Sequence, residues 1–360
     1  MAAAPTTSRE MKYLYWLLIL APAAVAAELL HWDPLLVFAL SAAAILPLSG
    51  ILGHATEELA GHTGPTVGGL LNATLGNLAE LIIAALALRA GLLDLVKASI
   101  TGSILGNLLL VMGAAQLAGG LRFKTQKFNP HLAGVSAALL VIAVIGLVVP
   151  TLFFRTHPDP ERVATVRMSE FVAVLLIVGY GLSLVYSMWT HRAVFGEGGD
   201  IATGEHSPNW SLTRAIVVLI GAAAAIGVLS ELLVSSTEAA TESLGLSEFF
   251  IGLILIPIIG NAAEHSSAVL MAMKNRMDLA VNIAVGSSIQ VALLIAPILV
   301  FLGVAFGQPM DLAFSAIEVA SVALAVAIAT VVVLDAQSNW LEGAFLLIVY
   351  SVFGVAFYFY

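Results

Sequence analysis

The sequence predicts an all-α polytopic membrane protein with about eleven transmembrane helices, one extra N-terminal helix followed by two inverted-topology five-helix repeats. Three observations predict this fold. First, 60% of the 360 residues are hydrophobic and 10% are charged, whereas soluble domains carry about 25% charged residues. Second, apolar runs of bilayer-spanning length recur along the whole chain. Third, a stretch of the first half returns in the second half.

Charged and Pro/Gly-rich breaks divide the chain into eleven apolar runs, each near the roughly 20 residues that cross a bilayer as a helix. The predicted spans are 12–30, 34–56, 65–90, 97–119, 130–152, 168–190, 212–236, 247–273, 279–304, 311–334 and 340–360. The first span has a basic flank and an Ala-rich end, which also resembles a cleavable signal peptide, so retention of residues 1–27 stays open.

Lys and Arg residues are distributed unevenly between the two sides of the predicted membrane. Nine lie on the side that holds the N-terminus and five on the other. The positive-inside rule therefore predicts a cytoplasmic N-terminus and, after eleven crossings, a C-terminus outside. The net charge of −9 suits a cationic substrate without establishing one. The chain has no cysteine, which excludes disulfides and thiolate chemistry.

An internal repeat relates the two halves of the chain. A shift of 184 residues aligns Gly61–Ser103 with Gly245–Ser287 without a gap, and 13 of the 43 aligned positions are identical. Coincident Asn, Glu, Asp and Ser residues are not expected from apolar composition alone, so the pattern indicates duplication.

The repeat predicts four segments. They are an N-terminal tail and first helix (1–33), a first five-helix half (34–190), a polar linker (191–211) and a second five-helix half (212–360). Because five is odd, the second half enters the membrane from the opposite side, the plan of many secondary transporters whose site lies where broken helices meet. Gly76, Gly260 and Pro257 are the predicted helix breakers.

The motif Gly-Asn-x-x-Glu occurs in both halves, as Gly76–Glu80 and Gly260–Glu264. A carboxylate inside a membrane helix costs roughly 2.5–3.5 kcal/mol on insertion scales, so Glu80 and Glu264 are candidate functional residues. Each Asn lies three residues before its Glu and shares its helix face. Further polar candidates lie in these motifs and in the helix after each of them: Asn77, Asn261, Ser103, Ser287 and Gln290.

These side chains offer carboxylate, amide and hydroxyl oxygens, the ligands of hard divalent cations. Ca²⁺ accepts about six to eight oxygens in flexible geometry, whereas Mg²⁺ demands octahedral order, so Ca²⁺ is the better candidate. With no basic residue near either Glu in the same span, a cation or a proton must neutralise the carboxylates. Both then compete for Glu80 and Glu264, which outlines an exchange of cation for proton.

These motifs, with Gly102-Ser103 and the run Gly286-Ser287-Ser288-Ile289-Gln290, resemble the two α-repeats of the calcium/proton exchangers (CAX family) of the cation/calcium antiporter superfamily. The resemblance implies an eleven-helix antiporter in which Glu80 and Glu264 bind Ca²⁺ or protons. It also implies that Gly106 replaces a small polar residue. Asn in both motifs favours protons over sodium as the counter-ion, and the short linker resembles the microbial form, which implies a cytoplasmic (inner) membrane.

Further acids lie at helix ends of the two halves. Glu57 and Glu58 end the second span, and Glu238 and Glu242 follow the seventh. They are candidate pathway-mouth acids, although solvated helix ends are the simpler explanation. His265 is expected to pack or to gate, because it points away from Glu264 around the helix.

Several alternatives remain open. The same carboxylates could exchange Na⁺ or K⁺ for protons, as a monovalent or broad-specificity antiporter. An intramembrane hydrolase lacks a recognisable motif, so no enzyme activity is expected, and a passive channel would conduct without obligatory proton movement. No cofactor is expected beyond the transported Ca²⁺ and H⁺, and no nucleic acid partner; the lipid bilayer is the expected surrounding, and homo-oligomerisation stays open.

Overall fold

The computed structural model describes residues 16–157, 159, 161–191 and 208–360. These residues are almost entirely helical, which confirms the predicted all-α polytopic membrane class. The start of the predicted first span and most of the predicted linker 191–211 lie outside the described residues.

Seven helices precede the linker in the described part of the chain. They are α1 (Leu20–Leu29), which follows a 3-10 turn, α2 (Pro34–Thr63), α3 (Pro65–Leu75), α4 (Leu78–Arg89), α5 (Leu93–Phe123), α6 (Pro130–Thr156) and α7 (Val163–Thr190). Helices α2 and α6 both begin with proline after a side-chain cap. Asp33 accepts a hydrogen bond from the amide of Leu35, and Asn129 from that of His131. Such caps satisfy amides that a helix leaves without partners.

Six helices follow the linker. They are α8 (Leu212–Ser235), α9 (Thr237–Leu244), α10 (Glu248–Met273), α11 (Met277–Phe306), α12 (Ala316–Val333) and α13 (Trp340–Tyr358). Helices α12 and α13 begin with capping boxes, formed by Ser315 with Glu318 and by Asn339 with Glu342. In a capping box, the side chain of each of the two residues accepts a hydrogen bond from the backbone amide of the other.

The predicted spans agree with these helices. Within the described residues, nine helices are long and apolar enough to cross a bilayer, and α3 with α4 makes a tenth, bent by 41°. A shorter apolar helix, Leu17–Leu29, lies inside the predicted first span. Each of the eleven predicted spans therefore coincides with a helix or with a bent helix pair.

One boundary prediction was wrong. The predicted span 311–334 begins as a helix only at Ala316, and the preceding residues form a buried loop. Apolar composition cannot distinguish a buried helix from a buried loop whose amides have other partners. Here the amides are held by side-chain hydroxyls of earlier helices: Leu312 donates to Ser169 and Phe314 to Thr151.

A buried ion pair anchors the same loop. The ammonium of Lys97 on α5 lies 2.5 Å from Asp311 Oδ1 and donates at 2.8 Å to the carbonyl of Ala313. Arg162 reaches the other carboxylate oxygen at 2.7 Å. Lys97 is 6% exposed and Asp311 3%, so the Lys97 charge depends on Asp311 for stabilisation, and the Asp311 charge depends on Lys97 and Arg162.

Helix burial separates the centre of the bundle from its periphery. In its most apolar stretch, α5 has 72% of its residues buried inside the protein, against 22% for α7 and 17% for α13. Helix α2 packs along α8, and α10 contacts α4, α5 and α11. Two short antiparallel strands, Thr125–Lys127 (β1) and Gln337–Asn339 (β2), join the loop after α5 to the loop after α12.

Candidate functional site

The first Gly-Asn-x-x-Glu motif lies at the bend between α3 and α4. Gly76 and Asn77 separate the two helices, and Asn77 adopts φ −95° and ψ 27°, outside the helical region. Glu80 consequently falls in the first turn of α4 and is 8% exposed. The positive end of the helix dipole favours an acidic side chain in that turn. The bend thus buries Glu80 at a helix N-terminus.

The second motif lies within a continuous helix, which differs from the symmetrical pair of breaks that the sequence predicts. Gly260, Asn261 and Glu264 all lie inside α10. The irregularity comes earlier, in a π-helical turn at Ile251–Leu255 that is followed by Pro257. A π-helical turn lets the helix continue as one piece although proline cannot donate a backbone hydrogen bond.

The two motifs contact each other reciprocally. A Cβ atom added at Gly260 would lie 3.1 Å from Glu80 Cγ. A Cβ atom added at Gly76 would lie 3.7 Å from Glu264 Oε1. Each glycine of one motif therefore borders the glutamate of the other. Two acids 184 residues apart in sequence converge on one small volume.

Amides and hydroxyls from both halves form a hydrogen-bond chain beside the acids. Asn77 Nδ2 donates to Gln290 Oε1 at 2.6 Å, and Ser287 Oγ donates to Asn77 Oδ1 at 2.8 Å. Asn107 Nδ2 donates to Ser287 Oγ at 3.0 Å. The chain fixes the orientation of the Asn77 amide.

The matching residues of the second motif meet the first half in the same region. Asn261 Nδ2 lies 3.5 Å from Ser103 Oγ, the outer limit of a hydrogen bond. Asn261 is 2% exposed and Ser103 4%. All seven predicted site residues therefore lie in the region where the two motifs cross.

Three buried oxygens in this region have no hydrogen-bond donor among the described residues: Glu80 Oε1, Glu264 Oε2 and Asn261 Oδ1. Buried polar atoms nearly always have a hydrogen-bond partner, so each of these three oxygens requires an explanation. The carboxylate oxygens accept hydrogen bonds when ionised, and the amide oxygen always does. A set of unpaired oxygens fits a cation or protons.

Asn107 is a residue of this network that the sequence analysis missed. It is 1% exposed and lies on α5, four residues after Ser103. That spacing places both side chains on one helix face, and it was the signal available in the sequence. The resemblance directed attention to Gly106 instead. A Cβ atom added at Gly106 would meet no atom within 4 Å, so open space adjoins that residue.

The four candidate mouth acids have different surroundings. Glu57 is exposed, whereas Glu58 is fully buried and accepts a 2.8 Å hydrogen bond from the backbone amide of Trp210. Glu58 is therefore not a solvated mouth acid; it ties the end of α2 to the residues before α8. Glu238 and Glu242 are exposed on α9. Glu238 also lines a cavity of about 380 Å³, together with Arg89, Glu231 and Glu248.

His54 and His62, near Glu57 and Glu58, have partners of their own. The ring nitrogens of His54 lie 3.7 Å from Glu57 and 3.8 Å from Glu58, and His62 Nε2 lies 2.7 Å from the carbonyl of Trp210. His265 is partly buried, and its Nε2 has no hydrogen-bond partner within the described ranges.

Close approach of α5 to α10 holds Ser103 near the second motif. A Cβ atom at Gly102 would lie 2.7 Å from the Pro257 ring and 2.6 Å from the carbonyl carbon of Leu253. We expect Gly102→Ala to force the helices apart and to destabilise the protein by about 1–3 kcal/mol. Thermal unfolding in detergent measures this effect.

Gly106→Ala is the matched control for stability. The added methyl group enters open space one turn further along α5, so it should leave the unfolding temperature unchanged or raise it slightly. Equal unfolding temperatures for Gly102→Ala and the wild type would contradict the proposed steric role of Gly102.

A bundle of membrane-spanning helices around a buried, oxygen-lined site of two acids defines a membrane transport protein for a small cation. The family described as "Sodium/calcium exchanger protein" matches residues 34–189 and 214–359. The chain belongs to this family.

Relatives in this family cover nearly the whole chain. A protein named Ca(2+)/H(+) antiporter from Aphanothece halophytica is 46% identical over 357 residues, covering 96% of each chain. The Ca(2+)/H(+) antiporter ChaA of Bacillus subtilis is 40% identical over 352 residues, covering 97% of this chain and 99% of its own.

Solved structures agree with the fold. Native YfkE superposes with a TM-score of 0.84 at 36% identity, over 96% of this chain and all of that chain. A structure of the H+/Ca2+ exchanger CAX superposes with a TM-score of 0.76 over 98% of this chain and 93% of its own, and at 16% identity it supports the fold alone. The chain is an integral membrane protein of this fold.

Proposed function

We propose that the chain is a secondary active antiporter that exchanges Ca²⁺ for H⁺ across a membrane. The observation that carries this proposal is the pair of crossed motifs with unpaired oxygens on Glu80 and Glu264. The names of the related antiporters support Ca²⁺ and H⁺ as the transported ions. Neither an enzyme activity nor a cofactor is part of the proposal.

Charge balance explains why the two ions compete. With both carboxylates ionised, the crossed motifs carry two negative charges in a buried region, which is unfavourable without compensation. One Ca²⁺ neutralises the pair, and so do two protons. Cation release then favours proton uptake at the same oxygens, and proton release favours cation binding.

The remaining ligands of Ca²⁺ would come from the amides and hydroxyls around the acids. Ca²⁺ takes about six to eight oxygens, and two carboxylates supply at most four. Asn261 Oδ1 is unpaired and available. Four further side chains would bind the cation directly or orient the side chains that bind it: Asn77, Ser103, Ser287 and Gln290. Three of them, Asn77, Ser287 and Gln290, already share a hydrogen-bond chain.

Alternating access would expose this site to one side of the membrane at a time. The proposed halves, 34–190 and 212–360, contribute one motif each, and the two ranges that match the family support this division. In inverted-repeat transporters, one set of helices moves against the rest around a fixed site. Helices α2 and α8, which pack along each other, are the proposed moving pair.

The proposed orientation has the N-terminus in the cytoplasm and the C-terminus outside, in a microbial cytoplasmic membrane. It rests on the excess of Lys and Arg on one side. Three of the residues counted on the cytoplasmic side, Arg9, Lys12 and Arg192, lie outside the described residues. On this orientation, Glu57 would attract cations at the cytoplasmic mouth and Glu238 with Glu242 at the outer mouth.

Purified protein in proteoliposomes tests the exchange. With an imposed proton gradient, we expect added Ca²⁺ to collapse the gradient and to accumulate on the opposite side, while Na⁺ and K⁺ do not. Protein-free liposomes are the control for leak. Collapse by Na⁺ or K⁺ alone would indicate a monovalent antiporter, and Ca²⁺ flux without proton movement would indicate a channel; either result contradicts the proposal.

A further inference from the structure

A tyrosine from outside the motif helices contacts the bend of the first motif. Tyr180 lies on α7, which contributes none of the predicted site residues, and its hydroxyl donates a 3.0 Å hydrogen bond to the carbonyl of Ala73. Tyr180 is 5% exposed, although α7 is mostly peripheral. Its side chain therefore reaches inward from the edge of the bundle to the end of α3.

The acceptor of this bond lies where the helical ladder ends. The amide of Gly76 donates to the carbonyl of Asn72 at 2.9 Å, which completes the last turn of α3. The next carbonyl, that of Ala73, belongs to the group that a helix end leaves without helical partners. The Tyr180 hydroxyl takes the place of the missing backbone amide.

This bond and the hydrogen-bond chain of the site hold the bend from two directions. On one side, the Asn77 side chain is bound by Gln290 and Ser287 of the second half. On the other side, Tyr180 holds Ala73, one turn before Asn77. A backbone conformation outside the helical region, such as that of Asn77, persists only where the surrounding contacts hold it. The direction of the bend sets the position of Glu80.

The second motif keeps its geometry by different means. Pro257 has no amide hydrogen and therefore cannot donate to the carbonyl of Leu253, four residues earlier. That carbonyl packs against the backbone of Gly102. Control of the bend by a distant hydroxyl is thus a feature of the first motif.

We propose that Tyr180 is a positioning residue of the cation site, which sets the direction of the α3–α4 bend and thereby the placement of Asn77 and Glu80. The proposal rests on the proposed function where it concerns transport, and on geometry alone where it concerns the bend. It assigns a role in cation affinity to a side chain that itself contacts no cation.

The test is Tyr180→Phe in the full-length chain, which removes one hydroxyl and keeps the ring. Hydrogen–deuterium exchange in detergent should become about fivefold faster in peptides that cover residues 74–80 and remain unchanged in those that cover 258–264. In proteoliposomes, the Ca²⁺ concentration for half-maximal exchange should rise about fivefold, while the maximal rate stays within about twofold.

Tyr350→Phe is the matched control. Tyr350 is partly buried on α13 and follows the run Leu346-Leu347-Ile348-Val349, as Tyr180 follows Leu175-Leu176-Ile177-Val178-Gly179. Removal of its hydroxyl should change neither measurement.

Two results would overturn the proposal. The first is unchanged deuterium exchange at 74–80 in Tyr180→Phe, and the second is an equal increase at 74–80 and 258–264, which would indicate general loosening. A wild-type protein without Ca²⁺ exchange would contradict the proposed function, and the deuterium measurement would still decide the role of Tyr180 in the bend.

Discussion

Replacement of Glu80 or Glu264 by Gln is expected to reduce Ca²⁺-dependent proton movement by about 100-fold or more. An amide has nearly the shape of the carboxyl group but can neither release a proton nor neutralise a cation. Loss of one partner from a buried charge interaction costs about 2–5 kcal/mol, which accounts for this reduction. The initial rate of proton-gradient collapse in proteoliposomes, measured against Ca²⁺ concentration, gives the magnitude.

Glu28→Gln provides the same chemical change at an exposed position at the end of α1. It should exchange at the wild-type rate. The Glu80→Gln and Glu264→Gln proteins should also remain folded, since each loses a costly buried charge. Wild-type exchange in both of these variants would refute the assignment of the crossed motifs as the site.

Asp311→Ala is expected to destabilise the protein by about 3–5 kcal/mol. It removes the partner of Lys97, which is 6% exposed and would remain as an uncompensated buried charge. Arg162 would be less affected, because its side chain is 47% exposed and water can replace the lost contact. Thermal or denaturant unfolding in detergent, compared with wild type, measures the loss.

The double variant Lys97→Met with Asp311→Ala distinguishes a charge effect from simple loss of packing. Because removal of both charges leaves no unpaired ion in the protein interior and Arg162 remains accessible to water, it should cost less than Asp311→Ala alone. If the two single changes instead add in the double variant, the pair does not interact strongly in the folded protein and the buried-charge account is wrong.

Most of the fold could be predicted because a bilayer restricts what an apolar segment can do. A run of about 20 apolar residues has to satisfy its backbone internally, and a helix does so. The predicted spans 130–152 and 212–236 accordingly coincide with α6 and α8. The predicted helix start at residue 311 was wrong because the loop around Asp311 is buried in protein and not in lipid. Hydroxyls and charges of other helices there bind its backbone amides and its carboxylate.

The candidate site was predictable as far as local spacing determines it. Asn77 and Glu80 share a face through a three-residue spacing, and duplication of the motif indicated a partner for each acid. The asymmetry of the two motifs was not predictable. Gly76 and Gly260 stand in the same motif, but the helix is broken only at Gly76, between α3 and α4, and continues through Gly260. Contacts such as Tyr180 with Ala73 or Glu58 with Trp210 depend on tertiary packing and leave no pattern in the chain.

The reciprocal contact between the motifs bears on the origin of the duplication. Gly76 borders Glu264, and Gly260 borders Glu80. Reciprocity of this kind belongs to interfaces between two copies of one unit related by a two-fold axis. A half-length chain that associates with an inverted copy of itself would form both contacts at once. Fusion of two such copies would then preserve an existing site, and divergence of the copies would account for a bend that occurs on one side only.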